Sequence, residues 1–392
     1  MPNPPCRFDH ATRSTMVRPI ARDQQESDST GMPTEGDGIS VAPENDAVLI
    51  ARAVAAAIRP DGGLEPIQVS LLGAVLEALL DIRVDLEGLD PLDPEELAQV
   101  LEPYSDEFRQ RVVHLMVLGE LVLRPIPPAV ARRVAAYADE LKVDDQFVRI
   151  ARRYAQGGFG LAWLDLHQSG FAEHWEMARM DQLKTTVKLE HQLAAGVEDR
   201  PLAEVWSEFE THDPGTLGRE IWEMYRGRGF GLPGSIGGAS PYLAQHDFVH
   251  VIADYGTNLN GELEVFSLIG RADPDPKGFA WIATLIGLFE TGYVADAGFF
   301  SGDLEESRLE SPQMHVRMAD ALSRGRALRD RLQVDLLEID YHALATQSLP
   351  EIRGELGFVP KSAAAVAAGS PGAFDRAGMS KNQQLYSASL DS

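Results

Sequence analysis

The chain has a single cysteine, Cys6, set in a Pro-, Ser- and Thr-rich N-terminal stretch. An intramolecular disulfide is therefore excluded, and so is a thiolate metal cluster, leaving His, Asp and Glu as the available metal ligands. Basic charge is also scarce. The 35 Lys and Arg residues against 60 Asp and Glu give a formal charge of -25. That excess repels phosphate backbones, so nucleic acid is not expected as a partner, and it disfavours anionic membrane surfaces as a whole. The opening "MPNPPCRFDHATRSTMVRPI" has no apolar run of the secretory type, so the chain reads as cytoplasmic. Long hydrophobic runs are missing too, with one near-exception. Gly278 to Phe300, "GFAWIATLIGLFETGYVADAGFF", approaches the roughly 20 residues a bilayer span needs, but Glu290 and Asp296 interrupt it. Its uninterrupted part, Phe279 to Phe289, reads as a buried helix, with a membrane-interface helix as the alternative. No transmembrane span is expected, and peripheral attachment stays open.

What the sequence does have is length and helical period. With 392 residues, 44% of them hydrophobic, the chain can bury two cores. Leu72, Val75, Leu76, Leu79 and Leu80 recur at helical spacing and predict a core-facing helix. "SDEFRQRVVHLMVLGELVL" begins with the N-cap residue Ser105, and "PAVARRVAAYADEL" opens on Pro128; strand-like alternation is absent from this half. Met318, Ala321, Leu322, Gly325 and Leu332 repeat the helical pattern near the other end. The predicted fold is all-α, with two helical domains between disordered tails. Residues 1–42 form the first tail, 43–156 an N-terminal helical domain and 157–175 a linker marked by the "QGGFG" break. Residues 176–360 form a second helical domain and 361–392 a closing tail. On this reading a fragment of about residues 170 to 360 folds alone.

The chemistry concentrates in "HDFVHVIADYGTNLNGE", His246 to Glu262. His246 and His250 stand at i and i+4 and share one helix face, with Asp247 beside them. "YGTN" signals a turn, and Gly261 precedes Glu262, whose carboxylate can return towards the imidazoles on the next helix. Two readings remain open from the residues alone: a metal site, or a helix end whose histidines are ordinary core or surface residues. Gly229, Gly231 and Gly234 make a nominal phosphate-binding pattern, but Pro233 interrupts it and no strand context surrounds it, so it reads as a loop. Arg326 and Arg353 are candidates for holding a polar head group, or are simply solvated or paired.

H-D-x-x-H followed by eleven residues and Glu resembles the metal-ligand motif of the ubiquinone-biosynthesis Coq-four family. Upstream "DPGTLGREIWEMY" is similar to that family's Gly-Thr-Leu-Gly segment, and downstream "ALSRGRALRDRL" and "LPEIRGELGFVP" resemble its closing helices. The likeness covers about residues 176 to 360. The insertion "GRGFGLPGSIGG", the N-terminal helical region and both tails depart from its short members. The N-terminal region itself resembles the tellurite-resistance TerB-like helical domains through "LLGAVLEALLDI", "DPLDPEEL" and "YADELKVDDQFV".

The resemblance implies a divalent metal held by His246, Asp247, His250 and Glu262. Two imidazoles with carboxylates suit zinc first, and iron or manganese as well. It also implies a prenylated quinone precursor, or another isoprenoid lipid, as ligand, oxidative removal of a ring carboxyl group as the reaction, and biosynthetic enzymes as partners. Phe279 to Phe289 would then be a wall of the lipid groove. The rival expectation is a non-enzymatic, metal-stabilised scaffold that binds lipid and gathers other enzymes. A metallohydrolase fits less well, because no glutamate base stands between the histidines.

Overall fold

The computed structural model describes residues 42–123, 125–145, 148–149, 177–187, 198–273, 282, 309 and 312–390. The N-terminal tail with Cys6, the Gln156 to Gly160 break and, apart from the buried Ile282, the Phe279 to Phe289 segment lie outside the described residues. The fold is all-α. Among the described residues the one extended pairing is an isolated antiparallel bridge between Thr216 and Ser348.

The N-terminal region is built from α1 (Glu44–Ile58), α2 (Pro66–Leu80), α3 (Pro94–Val100), α4 (Asp106–Leu121) and α5 (Pro128–Glu140). Pro66, Pro94 and Pro128 occupy the first position of α2, α3 and α5, where the fixed φ suits a helix and the missing N–H has no intrahelical partner to lose. Ser105 caps α4 by accepting the Phe108 N–H at 3.2 Å. The buried Gln68 side chain donates to Ile58 O at 2.8 Å and Gly119 O at 2.9 Å, fastening α2 to the end of α1 and to α4.

The remaining helices are α6 (Met177–Gln182), α7 (Arg200–Glu208), α8 (Leu217–Arg228), α9 (Ala244–Ala253), α10 (Leu259–Ala272), α11 (Pro312–Leu332), α12 (Tyr341–Leu344), α13 (Leu349–Leu356), α14 (Ala363–Ala367) and α15 (Lys381–Leu390). The two long ones, α10 and α11, pack along each other. No described helix is long and apolar enough to cross a membrane.

The expectation of two separate helical domains is corrected. Leu72, Val75, Leu76, Leu79 and Leu80 are buried as predicted, but so are Ile67, Ser70, Leu71, Ala74 and Ala78 around the rest of α2. A helix that is apolar nearly all round needs a partner on each side. α1 and α4 supply one, and α11, from the far half of the chain, supplies the other. Gly73 lies so close under His315 of α11 that a Cβ there would stand 2.3 Å from the imidazole Cε1. Among the described residues, α1–α5 and α7–α13 accordingly share one core.

The closing tail is the second correction. Residues 361–392 are predicted to be disordered, yet residues 361–390 carry α14 and α15 and are tied down at several points. Ser362 N–H donates to Asp320 Oδ1 of α11 at 3.0 Å, and Ala365 and Ala373 are fully buried. Small residues satisfy a disorder-like composition, but here their smallness lets backbone approach backbone.

Candidate metal centre

α9 and α10 are consecutive, and a short turn between them sets the geometry of the site. Asp254 ends α9 in the left-handed conformation, at φ 64 and ψ 52. Asn258 starts α10, its side chain accepting the Gly261 N–H at 3.0 Å. Two glycines make so tight a reversal feasible. A Cβ on Gly261 would fall 1.8 Å from Gly256 O, so nothing larger fits. Glu262 thereby lands in the first turn of α10, where the helix dipole favours a carboxylate.

The face of α9 opposite the histidines is anchored by Phe248, which stacks on Tyr341 at 5.0 Å and lies 5.3 Å from Trp206. The last carbonyls of α9 are taken by cations. Arg324 donates to Ala253 O at 2.8 Å, and Arg353 donates to Ile252 O at 2.7 Å and Val251 O at 3.1 Å. Arg353 thus holds the end of the ligand helix, while Arg326 sits half-buried on α11.

These supports bring the predicted side chains together. The His246 and His250 rings lie 5.3 Å apart. Glu262 reaches both: its Oε2 is 3.5 Å from His246 Nε2, and its Oε1 is 3.3 Å from His250 Nε2. Asp247 Oδ1 lies 3.4 Å from His246 Nε2. His246, Asp247 and His250 each offer a ligand atom within 4.8 Å of the others.

The outer hydrogen bonds fit a bound cation. His246 Nδ1 is bonded to Leu243 O, and His250 Nδ1 to Tyr255 O at 3.4 Å. A carbonyl only accepts, so each Nδ1 must carry the proton, and in a neutral ring Nε2 is then a bare lone pair. Both lone pairs face carboxylate oxygens, which are acceptors as well. Either protons or a cation must stand between them. The buried His250 Nε2 has no well-aligned hydrogen bond and faces Glu262 Oε1 at 3.3 Å.

In the absence of a cation, protons fill that role. Burial would lower the His246 pKa, but the Asp247 and Glu262 carboxylates outweigh it and carry it up to about 9. Burial would raise Glu262, and the His250 and His246 imidazoles instead bring it down to about 2. Exposure is uneven across the site. The His250 side chain is 0% exposed, whereas that of His246 is 17% and that of Glu262 16%.

Sequence reasoning missed the residues around this set. Tyr225, on α8, donates its buried hydroxyl to Asp247 Oδ2 at 2.5 Å. Burial and the Asp247 charge push its phenol well above the ordinary range, so it stays a donor. Arg228, one turn further along α8, donates to Thr257 Oγ1 at 2.6 Å and to Ala373 O. The i, i+3 spacing of Tyr225 and Arg228 was the available signal, and nothing local pointed it at the site.

No protein-family model matches the chain, and searches of curated proteins and of solved structures found no match.

Proposed function

We propose that the chain binds a divalent metal through His246, Asp247, His250 and Glu262, and that the metal serves a prenylated aromatic substrate of quinone biosynthesis. The observation that carries the metal is the pair of imidazoles whose Nδ1 atoms are spent on backbone carbonyls while both Nε2 atoms face Glu262. Zinc suits the donor set first, and iron or manganese also fit it. The quinone assignment rests on the motif likeness to the Coq-four family, and the partial exposure of His246 and Glu262 favours a site that receives a ligand over a sealed structural one.

A divalent ion there supplies Lewis-acid polarisation of a bound oxygen. The chain's own residues do the rest. Tyr225 fixes the rotamer of Asp247 by hydrogen bonding its outer oxygen. Leu243 O and Tyr255 O fix the tautomers of the two histidines, and Glu262 holds negative charge across both rings. The proposed reaction replaces a ring carboxyl group of the precursor by a hydroxyl: the carboxyl carbon leaves as carbon dioxide, water supplies the hydroxyl oxygen, and dioxygen takes up the two electrons and two protons released and leaves as hydrogen peroxide.

The second reading is a metal-stabilised scaffold that gathers other enzymes. It is favoured by the way the site staples the successive helices α9 and α10.

Elemental analysis of protein purified without added metal tests the shared step. His246→Ala and His250→Ala should each remove most bound divalent ion, and unchanged metal content in both would end the proposal. A prenylated precursor should then raise thermal stability well above the effect of its tail-free analogue. Equal effects would leave the scaffold reading ahead of the enzyme.

A further inference from the structure

We propose that the C-terminal segment from Gly372 to Gln384 is a strap that sets the distance between His250 and Glu262, making Thr257, Gly378 and Gln383 positioning residues of the site. The inference rests on the metal reading above and concerns what holds the two ligand helices in register.

The only covalent link between His250 and Glu262 is the loop of residues 254–258 with the first turn of α10. The loop's ends are bonded to its own helices, Tyr255 N–H to His250 O at 2.9 Å and Glu262 N–H to Asn258 O at 2.9 Å, while its middle takes its partners from the C-terminal segment. Gly378 O accepts from both Thr257 N–H at 2.7 Å and Asn258 N–H at 2.8 Å. The Asn258 amide donates to Ala377 O at 2.9 Å, and Asp254 Oδ1 accepts from Ala373 N–H at 2.9 Å. Thr257 is gripped on three sides. Its hydroxyl accepts from Arg228 Nε at 2.6 Å and donates to Gln383 Oε1 at 2.9 Å, while Gln383 Nε2 donates to Thr257 O at 3.4 Å.

The contact is also tight. A Cβ on Gly378 would stand 2.8 Å from Gly256 Cα and 3.0 Å from Gly372 O, and one on Gly256 would stand 2.5 Å from Gly378 Cα. Two glycines facing each other backbone to backbone leave no slack. Yet the strap's last helix, α15, buries none of its residues. Its sequence therefore contributes little core, and through Gln383 it bonds the loop between the ligands. Arg228 joins the strap to the Asp247 side of the site, because it shares a helix face with Tyr225 and also donates to Ala373 O.

The test uses the full chain with Thr257→Val, Gly378→Ala and Gln383→Ala, and with Thr257→Ser as the conservative rescue. Metal-free protein is loaded with cobalt(II), whose visible spectrum reports coordination geometry, and the cobalt Kd is measured by chelator competition. Thr257→Val and Gly378→Ala should raise the Kd tenfold or more and alter the spectrum, Gln383→Ala should do so less, and Thr257→Ser should match the unaltered chain. Folded variants with the original Kd and spectrum would overturn the strap. If Thr257→Val or Gly378→Ala fails to fold, the milder Gln383→Ala decides by the same two readouts. If the unaltered chain takes up no cobalt, the metal reading falls by itself. The strap is then judged by amide exchange over residues 255–262 in Gln383→Ala: faster exchange upholds it, and unchanged exchange overturns it.

Discussion

Tyr225 and Asp247 meet through a 2.5 Å hydrogen bond buried between α8 and α9, and Asp247 is the residue that follows the first histidine of the candidate site. The tyrosine leaves Asp247 with one oxygen committed and the other, Oδ1, turned towards His246. Tyr225→Phe removes the hydroxyl with little change in shape, so the carboxylate gains freedom to rotate away. Metal affinity should fall about 10- to 100-fold, the range typical for loss of an outer-shell partner. Fold stability should fall by about 1–3 kcal/mol, since a buried acceptor loses its donor. Chelator competition and denaturant unfolding measure the two effects, and an unchanged affinity would remove Tyr225 from the site.

The protonation of His246 predicts how metal uptake follows pH. Its folded pKa is raised to about 9 from 6.5, so this pairing stabilises the metal-free fold fully below pH 6.5 and ceases to do so as pH rises through 9. Glu262 is lowered to about 2 from 4.5, so its contribution is present above pH 4.5 and is lost as pH falls through 2. A metal must displace the His246 proton, which makes binding easier as pH rises. Apparent affinity should increase about tenfold per pH unit between pH 6 and 9 if one proton is released. Thermal midpoints with and without zinc should therefore diverge across that range, and a constant gap would contradict the assignment of His246 as a ligand.

How much of this was legible in the sequence differs from residue to residue for physical reasons. The approach of Glu262 to the histidines could be read because it is set locally, by the i, i+4 spacing of His246 and His250 and by a turn that Gly256 and Gly261 allow. Tyr225 and Arg228 could not be read, since their contacts depend on how α8 packs on α9 and on the 254–258 loop, and no local pattern encodes that. The face of α2 carrying Leu72 and Leu76 was visible in the period. That the opposite face is also covered was not, because apolar content says a partner exists but not which helix supplies it. In the C-terminal segment, Ala, Gly and Ser read as low complexity, while the bonds that order it run to Asp254, Thr257 and Asn258, more than a hundred residues away.

The α2–α11 contact can be tested at its closest point. Gly73→Val would drive two methyl groups into the space of the His315 ring, which also sits 3.5 Å from Glu77 Oε2. Overpacking of this kind typically costs about 1–3 kcal/mol. His315→Ala alone should cost less, because the ring is partly exposed, and added to Gly73→Val it should recover much of the loss. Urea unfolding of the four proteins gives the coupling directly. Strictly additive effects would mean that residues 73 and 315 do not meet.

The same contact decides what a fragment will do. Residues 170 to 360 contain the whole candidate ligand set, and separate domains would let that piece fold and bind metal unaided. But α11 buries Met314, Met318, Ala321 and Leu322 in a core it shares with α2, and the strap begins only after residue 360. The fragment would expose the α2-facing side of α11 and release the loop that spaces His250 from Glu262. It should therefore be insoluble or molten on its own, with ANS binding and poor near-ultraviolet dichroism, and should hold metal far more weakly than the full chain. Adding back residues 43–156 as a separate polypeptide should restore α11's partner and solubility. Metal affinity should recover only when residues 361–392 are present as well. A monomeric, cooperatively unfolding 170–360 fragment with full metal affinity would show that neither α2 nor the strap is needed.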